Sequence, residues 1–326
     1  MMKLVSIILP VFNAAPYLNE CLDSIQQQGY HNWELIAVDD CSTDASLQIL
    51  EERAASDPRI NVYSNENKGL VNALVAGEVE ASGECITRMD ADDLMCEGRL
   101  SIMVESIGDK EGIVAVGLVK YFRTDQALGK GYLKYEKWLN SLTCSSSNFS
   151  QIYKECTIPS PCWMMLTKDF RRIGGFSGGY PEDYDLAFRM RSHQVRVQGI
   201  NEVLLKWRDH GSRASRTDSN YADNRFLNLK MKYFISHEST KNLGLWGAGK
   251  KGKKIASLLI QNSIEFNWYT NNPNKIGREI YSIALQSSEN NTSENVIIAV
   301  ANEEEQLEIK GYLEQINPVP KYYFFC

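Results

Sequence analysis

The sequence predicts an α/β fold, a mostly parallel central sheet covered by helices on both faces, followed by a smaller α/β unit. Three observations carry that prediction. Short apolar runs alternate with amphipathic segments through the N-terminal part of the chain, the β-α-β order of a parallel sheet. Acidic residues gather where those runs end, at Asp39-Asp40 and Asp90-Ala91-Asp92-Asp93, and such sheets bind ligands beyond the carboxyl ends of their strands. A polar run at residues 236–242 precedes a second strand, Gly-rich turn and helix, which marks a domain boundary.

Taken in order, residues 5–9 read as a strand buried on both faces. Pro16 stands where a helix begins, and Leu18, Cys21, Leu22 and Ile25 follow at helical spacing. Residues 35–38 form the next strand, and Ser42 is placed to cap the helix carrying Leu47 and Leu50. Residues 60–63 make a third strand; Leu70, Ala73, Leu74 and Gly77 mark another helix face. The strand ending near Thr87 delivers Arg88 and the acidic corner. Beyond it, Tyr132, Tyr135, Leu139 and Leu142 suggest a helix, 145–150 a loop, and 162–166 a strand. Gly174-Gly175-Phe176-Ser177-Gly178-Gly179 reads as a flexible stretch. Pro181 then opens a helix through Met190, whose first turn suits Glu182 and Asp183 on dipole grounds alone. In the second unit, strands are expected at 243–246, 264–269, 296–300 and 322–325, with helices after Gly249 and over 303–315. The expected division is 1–235, a linker at 236–242, and 243–326.

The 326 residues suit two domains, and 43% hydrophobic with 23% charged residues is ordinary soluble composition. The net charge of −6 and the absence of a long basic run make nucleic acid an unexpected partner. No apolar stretch approaches the ~18 residues that span a bilayer. Residues 4–12 imitate a signal peptide, but only Lys3 leads them and Pro10 interrupts them, so they are read as the first strand. The eight cysteines are irregularly spaced without Cys-x-x-Cys, which favours free thiols in a reducing, cytoplasmic setting.

Three carboxylates crowd the corner Arg88-Met89-Asp90-Ala91-Asp92-Asp93. Like charges this close repel unless a cation holds them. Asp90 and Asp92 are two apart and project to one side of an extended backbone. Oxygen ligands of this kind suit Mg²⁺ or Mn²⁺, which in turn suit phosphates. A solvated acidic turn is the competing reading.

Several separated motifs give the N-terminal part a family resemblance. They are Ser6-Ile7-Ile8-Leu9-Pro10-Val11-Phe12-Asn13, Val38-Asp39-Asp40-Cys41-Ser42-Thr43-Asp44, Asn67-Lys68-Gly69-Leu70, and Arg88 to Asp93. After them come Gly174-Gly175-Phe176, Glu182-Asp183-Tyr184-Asp185-Leu186 and Trp207-Arg208-Asp209-His210. In this order they resemble the family 2 glycosyltransferases, inverting enzymes of the GT-A nucleotide-diphospho-sugar transferase fold. The resemblance implies a metal-dependent transfer of sugar from a nucleotide donor, UDP-linked by preference, to a glycan or lipid-linked acceptor in surface polysaccharide synthesis. It implies that Asp40 accepts the uracil N3–H, that Pro10 and Phe12 line the base pocket, and that Asp39 lies towards the ribose. Asp92 becomes the direct metal ligand, with Mn²⁺ or Mg²⁺ as the metal. Asp90 reaches the ribose or the metal's water shell, and His210 completes the shell or touches the diphosphate. Arg88 pairs with these carboxylates or with a phosphate, the structural pair being preferred; Arg208 and Arg213 hold phosphates or are solvated. Asp183 is the implied base for the acceptor hydroxyl, and Glu182 holds the acceptor or the loop.

The second unit carries Gly247-x-Gly249-x-x-Gly252 in Rossmann context and resembles a small Rossmann-like domain appended to some bacterial members. Where a dinucleotide site wants an acidic ribose ligand it has Thr270-Asn271-Asn272. Packing, assembly or weak nucleotide binding is therefore preferred to NAD catalysis. Lys250, Lys251, Lys253 and Lys254 face water by default, with peripheral contact to the inner face of a membrane as the alternative. Competing classes are a sugar-nucleotide-binding protein without transferase activity and an NAD-dependent oxidoreductase. A sugar-nucleotide pyrophosphorylase would need a Gly-rich triphosphate loop that Pro10-Val11-Phe12-Asn13 does not offer.

Overall fold

The computed structural model describes residues 2–124, 127–177, 181–211, 213 and 226–326. Gly178 and Gly179 of the Gly-rich stretch lie outside the described residues. By packing, the chain forms two units, Met1–Ser150 with Thr157–Thr217, and Gln151–Cys156 with Asp218–Cys326. No described helix is long and apolar enough to cross a membrane.

The first unit opens with β1 (Val5–Val11), α1 (Ala15–Gln26), β2 (Trp33–Asp39), α2 (Ser46–Ser56), β3 (Ile60–Ser64), α3 (Leu70–Glu80) and β4 (Cys85–Arg88). Every residue of β1 is buried, which is why its sequence is a continuous apolar run. The helix α1 buries Leu18, Cys21, Leu22 and Ile25 behind a Pro in its first turn, as the spacing predicts. Ser42 is not a helix cap. The helix α2 starts four residues later, and the Asp44 carboxylate takes up the Ser46 N–H at 2.9 Å and the Ala15 N–H at 3.1 Å. The Ser42 hydroxyl instead accepts from the Asn13 N–H, because a left-handed Cys41 turns the chain before the helix can begin.

Next come β5 (Leu94–Met95), α4 (Arg99–Ile107), β6 (Ile113–Phe122), α5 (Lys130–Cys144), β7 (Trp163–Leu166), α6 (Thr167–Arg172), α7 (Glu182–Ser192) and β8 (Arg196–Arg208). The sheet order is β3-β2-β1-β4-β7-β6-β8-β5. Strands β3, β2, β1 and β4 run parallel, and β7 lies antiparallel to β4, with Thr87 opposite Met164. The carboxyl ends of β1, β2 and β4 thus share one rim with the residues entering β7.

The second unit holds α8 (Phe226–His237), β9 (Leu243–Trp246), α9 (Lys250–Gln261), β10 (Phe266–Thr270), β11 (Glu279–Ile280), β12 (Ile283–Ser287), β13 (Asn295–Ile298), α10 (Glu303–Leu313) and β14 (Lys321–Phe324). Its six strands are ordered β11-β12-β10-β9-β13-β14, all pairs parallel except β11 with β12. Gly252 is required here: a Cβ would stand 2.0 Å from the Gly247 carbonyl oxygen, so only glycine lets α9 close on β9. Tyr153 binds its short segment into this unit, stacked on Phe325 at 5.3 Å and edge-on to Phe234 and Tyr323.

Candidate active site

The rim of the first unit gathers the motif residues from six segments. The turn after β1 presents Phe12, 44% exposed, with the Lys68 ammonium 4.0 Å from its ring centre. Pro10 lies within β1, opposite Val38 of β2. Asp39 and Asp40 are both buried at the end of β2. Asp39 Oδ2 accepts from the Ser42 N–H at 3.2 Å, whereas its Oδ1 is buried without a partner among the described residues. Asp40 Oδ1 accepts from the Gly69 N–H and the Asn65 amide, each at 2.7 Å. That brace holds the Asn67-Lys68-Gly69 loop beside Phe12.

Strand β4 delivers the acidic corner. The Arg88 guanidinium is buried between two carboxylates, bonding Asp90 through Nε and Glu182 through Nη1, each at 2.8 Å. Burial disfavours its charge, but Asp90 and Glu182 overcome that and push its pKa up. Arg88 therefore makes the structural pair. Burial also raises the pKa of Asp90, offset in part by Arg88.

Asp92 has a different partner, its Oδ2 lying 2.8 Å from His210 Nε2. Burial works against its ionised form, but the His210 bond and the Arg213 charge prevail and lower its pKa. Asp93 is fully buried and its carboxyl is held well above the usual range, by burial first and then by Asp92. Arg208 is buried rather than solvated. Its backbone N–H bonds Asp93 Oδ1 at 2.8 Å, its Nε bonds the Asp92 carbonyl at 2.7 Å, and its Nη2 pairs with Glu20. Tyr17 of α1 packs on His210 in a tilted arrangement at 4.6 Å and lies 5.1 Å from the Arg208 guanidinium. Arg213 stands over the Trp207 ring at 5.1 Å.

Helix α7 brings Glu182 and Asp183 to the same rim in its first turn. Asp183 Oδ1 accepts from the Tyr184 N–H at 2.7 Å. Its pKa is raised to about 7, by burial first and then by the neighbouring Glu182 charge, with Arg88 pulling the other way. A carboxyl with that pKa is a serviceable base at neutral pH. Glu182 Oε2 is buried and unpartnered among the described residues. Behind the corner, fully buried Arg99 donates to Thr87 Oγ1 at 3.0 Å and to the Arg88 carbonyl at 3.2 Å. Burial lowers its pKa.

Among the described residues no group of three or more His, Cys, Asp and Glu side chains forms a cage for a cation. The Asp92–His210 pair nevertheless fits a hard ion. Two neighbouring ligands on an octahedral ion with bonds of about 2.1 Å are about 3 Å apart, and these two atoms stand at 2.8 Å. Mg²⁺-type sites need only one or two protein ligands when phosphates and water supply the rest.

Sequence reasoning placed Pro10, Phe12, Asp39, Asp40, Arg88, Asp90, Asp92, Glu182, Asp183 and His210 at the site, and all stand at this rim. It passed over Tyr17, Glu20 and Arg99. For Arg99 a signal existed: it shares the buried face of α4 with Leu100, Met103 and Ile107, and a cation on an apolar stripe is an anomaly.

Comparison with known proteins adds to this geometry. Residues 6–174 match the model described as Glycosyl transferase family 2. The glycosyltransferase GlyG of Streptococcus pneumoniae is 36% identical over 133 residues, 40% of this chain and 44% of GlyG. This chain thus spans less than half the length of that relative. An uncharacterised glycosyltransferase of Haemophilus influenzae is 26% identical over 284 residues, 82% of this chain and 88% of the relative. Among solved structures, the mannosyltransferase PcManGT from Pyrobaculum calidifontis, in complex with GDP-Man and Mn²⁺, superposes with a TM-score of 0.53. Its identity is 19%, covering 72% of this chain and 64% of that one, a likeness of fold.

Proposed function

This chain belongs to glycosyl transferase family 2 and is a glycosyltransferase, and from that premise we propose that it uses a UDP-linked sugar and a divalent cation. The acceptor is a hydroxyl of a glycan or lipid-linked precursor of a surface polysaccharide, reached from the cytoplasmic side, and the anomeric centre inverts. One observation carries the reading. A donor-side pair, Asp92 and His210, and an acceptor-side pair, Glu182 and Asp183, stand at one rim, and Arg88 joins Asp90 of the first side to Glu182 of the second.

Asp40 has Oδ1 committed to the Asn65–Gly69 loop, which leaves Oδ2 to accept a ring N–H of the base. Phe12 offers a flat exposed face to that base, and Asp39 stands next to it towards the ribose. Asp90, fixed by Arg88, reaches the ribose or ordered water. Asp92 and His210 would hold the cation, for which Mn²⁺ or Mg²⁺ suits the oxygen and imidazole donors. When bound, the cation supplies charge neutralisation for the departing nucleoside diphosphate. Asp183 takes the proton from the acceptor hydroxyl at its carboxylate, and Glu182, clamped by Arg88, keeps the acceptor side in register. For the second unit the proposed role is packing, assembly or weak nucleotide binding, since Thr270-Asn271-Asn272 places no carboxylate at the end of β10.

The test is a melting-shift series with UDP, GDP and their sugars, each with Mn²⁺ and with chelator. UDP with Mn²⁺ at a hundredfold excess over its Kd stabilises by about 2.7 kcal/mol. Equal shifts with chelator overturn the metal dependence, and a preference for GDP overturns uracil as the base that Asp40 reads.

A further inference from the structure

Beside the candidate base lies a small pocket of the first unit, lined by Arg88, Ser160, Trp163, Phe176, Glu182 and Asp183, with a volume of about 10 Å³. That is about the space one water needs. A purely apolar cavity stays dry, and Ile158, Trp163, Phe176, Leu186 and Ala187 give this one an apolar wall. Its remaining lining, Arg88, Ser160, Glu182 and Asp183, is polar. Ser160 is 8% exposed and its hydroxyl has no partner among the described residues; Glu182 is 3% exposed and its Oε2 has none either. Two orphaned polar atoms on residues that line one cavity are costly unless something between them makes both bonds. The missing group must donate to a carboxylate and accept from a hydroxyl, which water does.

The position gives this water a use. Glu182 Oε1 is committed to Arg88 at 2.8 Å, so its second oxygen is the only part of the carboxylate left to set the torsion of the headgroup. Ser160 sits in the turn leading into β7, closed by the Cys162 N–H donating to the Pro159 carbonyl at 3.0 Å. A water fixed by Ser160 would lock Glu182, and with it the charge beside Asp183. We propose that Ser160 is a positioning residue for the acceptor-side carboxylates, acting through one water held in this pocket. The inference rests on the transferase reading for its catalytic consequence, and on burial and cavity alone for the water.

The experiment has two arms. A high-resolution crystal structure of the full, ligand-free chain should show a single ordered peak within hydrogen-bond distance of both Ser160 Oγ and Glu182 Oε2. An empty pocket, or a Ser160 hydroxyl turned to a backbone carbonyl, overturns the proposal. The kinetic arm compares Ser160→Ala and Ser160→Thr with the parent in metal-dependent release of UDP from a UDP-sugar panel. Ser160→Ala should lower kcat roughly tenfold, the cost of one lost bond to a buried charge, with KM for the donor unchanged. Ser160→Thr, which keeps the hydroxyl, should restore it. Parent-like kcat in Ser160→Ala, or an equal loss in both variants, overturns the positioning role. Should the parent release no UDP, the transferase reading fails on its own, and the density still decides the water.

Discussion

Replacing Asp183 by Asn separates the chemistry of the site from its architecture. The amide keeps the shape of the carboxyl and can still accept the Tyr184 N–H, which lies 2.7 Å from Oδ1. Only the charge and the basicity go. If Asp183 takes the acceptor's proton, turnover should fall by about 10²- to 10⁴-fold. The pH dependence supplies a second readout. With a native pKa of about 7 against an ordinary 3.8, kcat/KM of the parent should fall about tenfold per unit below pH 7, and the variant should lose that limb. The third readout is stability. A carboxyl whose native pKa is raised weakens the fold where it must ionise. The penalty is absent below about pH 4, grows between there and about pH 7, and is complete above, at most about 4 kcal/mol for a shift of this size. The variant should therefore melt higher than the parent at pH 8 and alongside it at pH 4. The assay is nucleotide release from the sugar donor over pH 5–9, with calorimetric melting of the same samples. Near-normal turnover, or an acid limb that survives the substitution, would refute the assignment of Asp183 as base.

Two further outcomes follow from the packing around that helix. Arg88→Met leaves Glu182 and Asp90 facing each other without their shared cation, and should cost about 3–5 kcal/mol in urea unfolding; a loss below about 1 kcal/mol would mean that water already screens the pair. Gly175→Ala places a Cβ 2.2 Å from Glu78 Oε1 at a φ of +53°, and should cost about 1–3 kcal/mol. In a Glu78→Ala background the contact disappears while the backbone strain stays, so part of the loss should return.

The legible part of this protein was the part encoded locally. Apolar runs, helical spacing and Asp pairs at strand ends place β1 to β4, α1 and the rim without any knowledge of what packs on what. The pairing of Arg88 with Glu182 spans 94 residues and depends on β7 and α6 carrying the chain back beside β4, which no periodicity announces. Ser42 illustrates the opposite error: cap chemistry was correct in kind, but Cys41 adopts a left-handed conformation and the turn consumes Ser42 before the helix starts. Tyr17 escaped because its partner His210 comes from the far end of the unit, and a ring at the start of an amphipathic helix looks like ordinary core. Gln151–Cys156 packing with the second unit hinges on Tyr153 joining an aromatic cluster whose other members lie beyond residue 225.

The sheet reverses direction between β4 and β7, and that reversal divides labour along the chain. In the proposed reading, segments departing from β1, β2 and β4 grip the nucleotide, whereas the segment arriving at β7, with Ser160 in its turn, borders the opposite shore. The end of β2 is tied to the loop after β3 by Asp40, which accepts from Asn65 and Gly69. The arriving strand is joined to β4 by the Thr87 hydroxyl, which donates to the Trp163 carbonyl, so both shores of the rim are built on one continuous sheet.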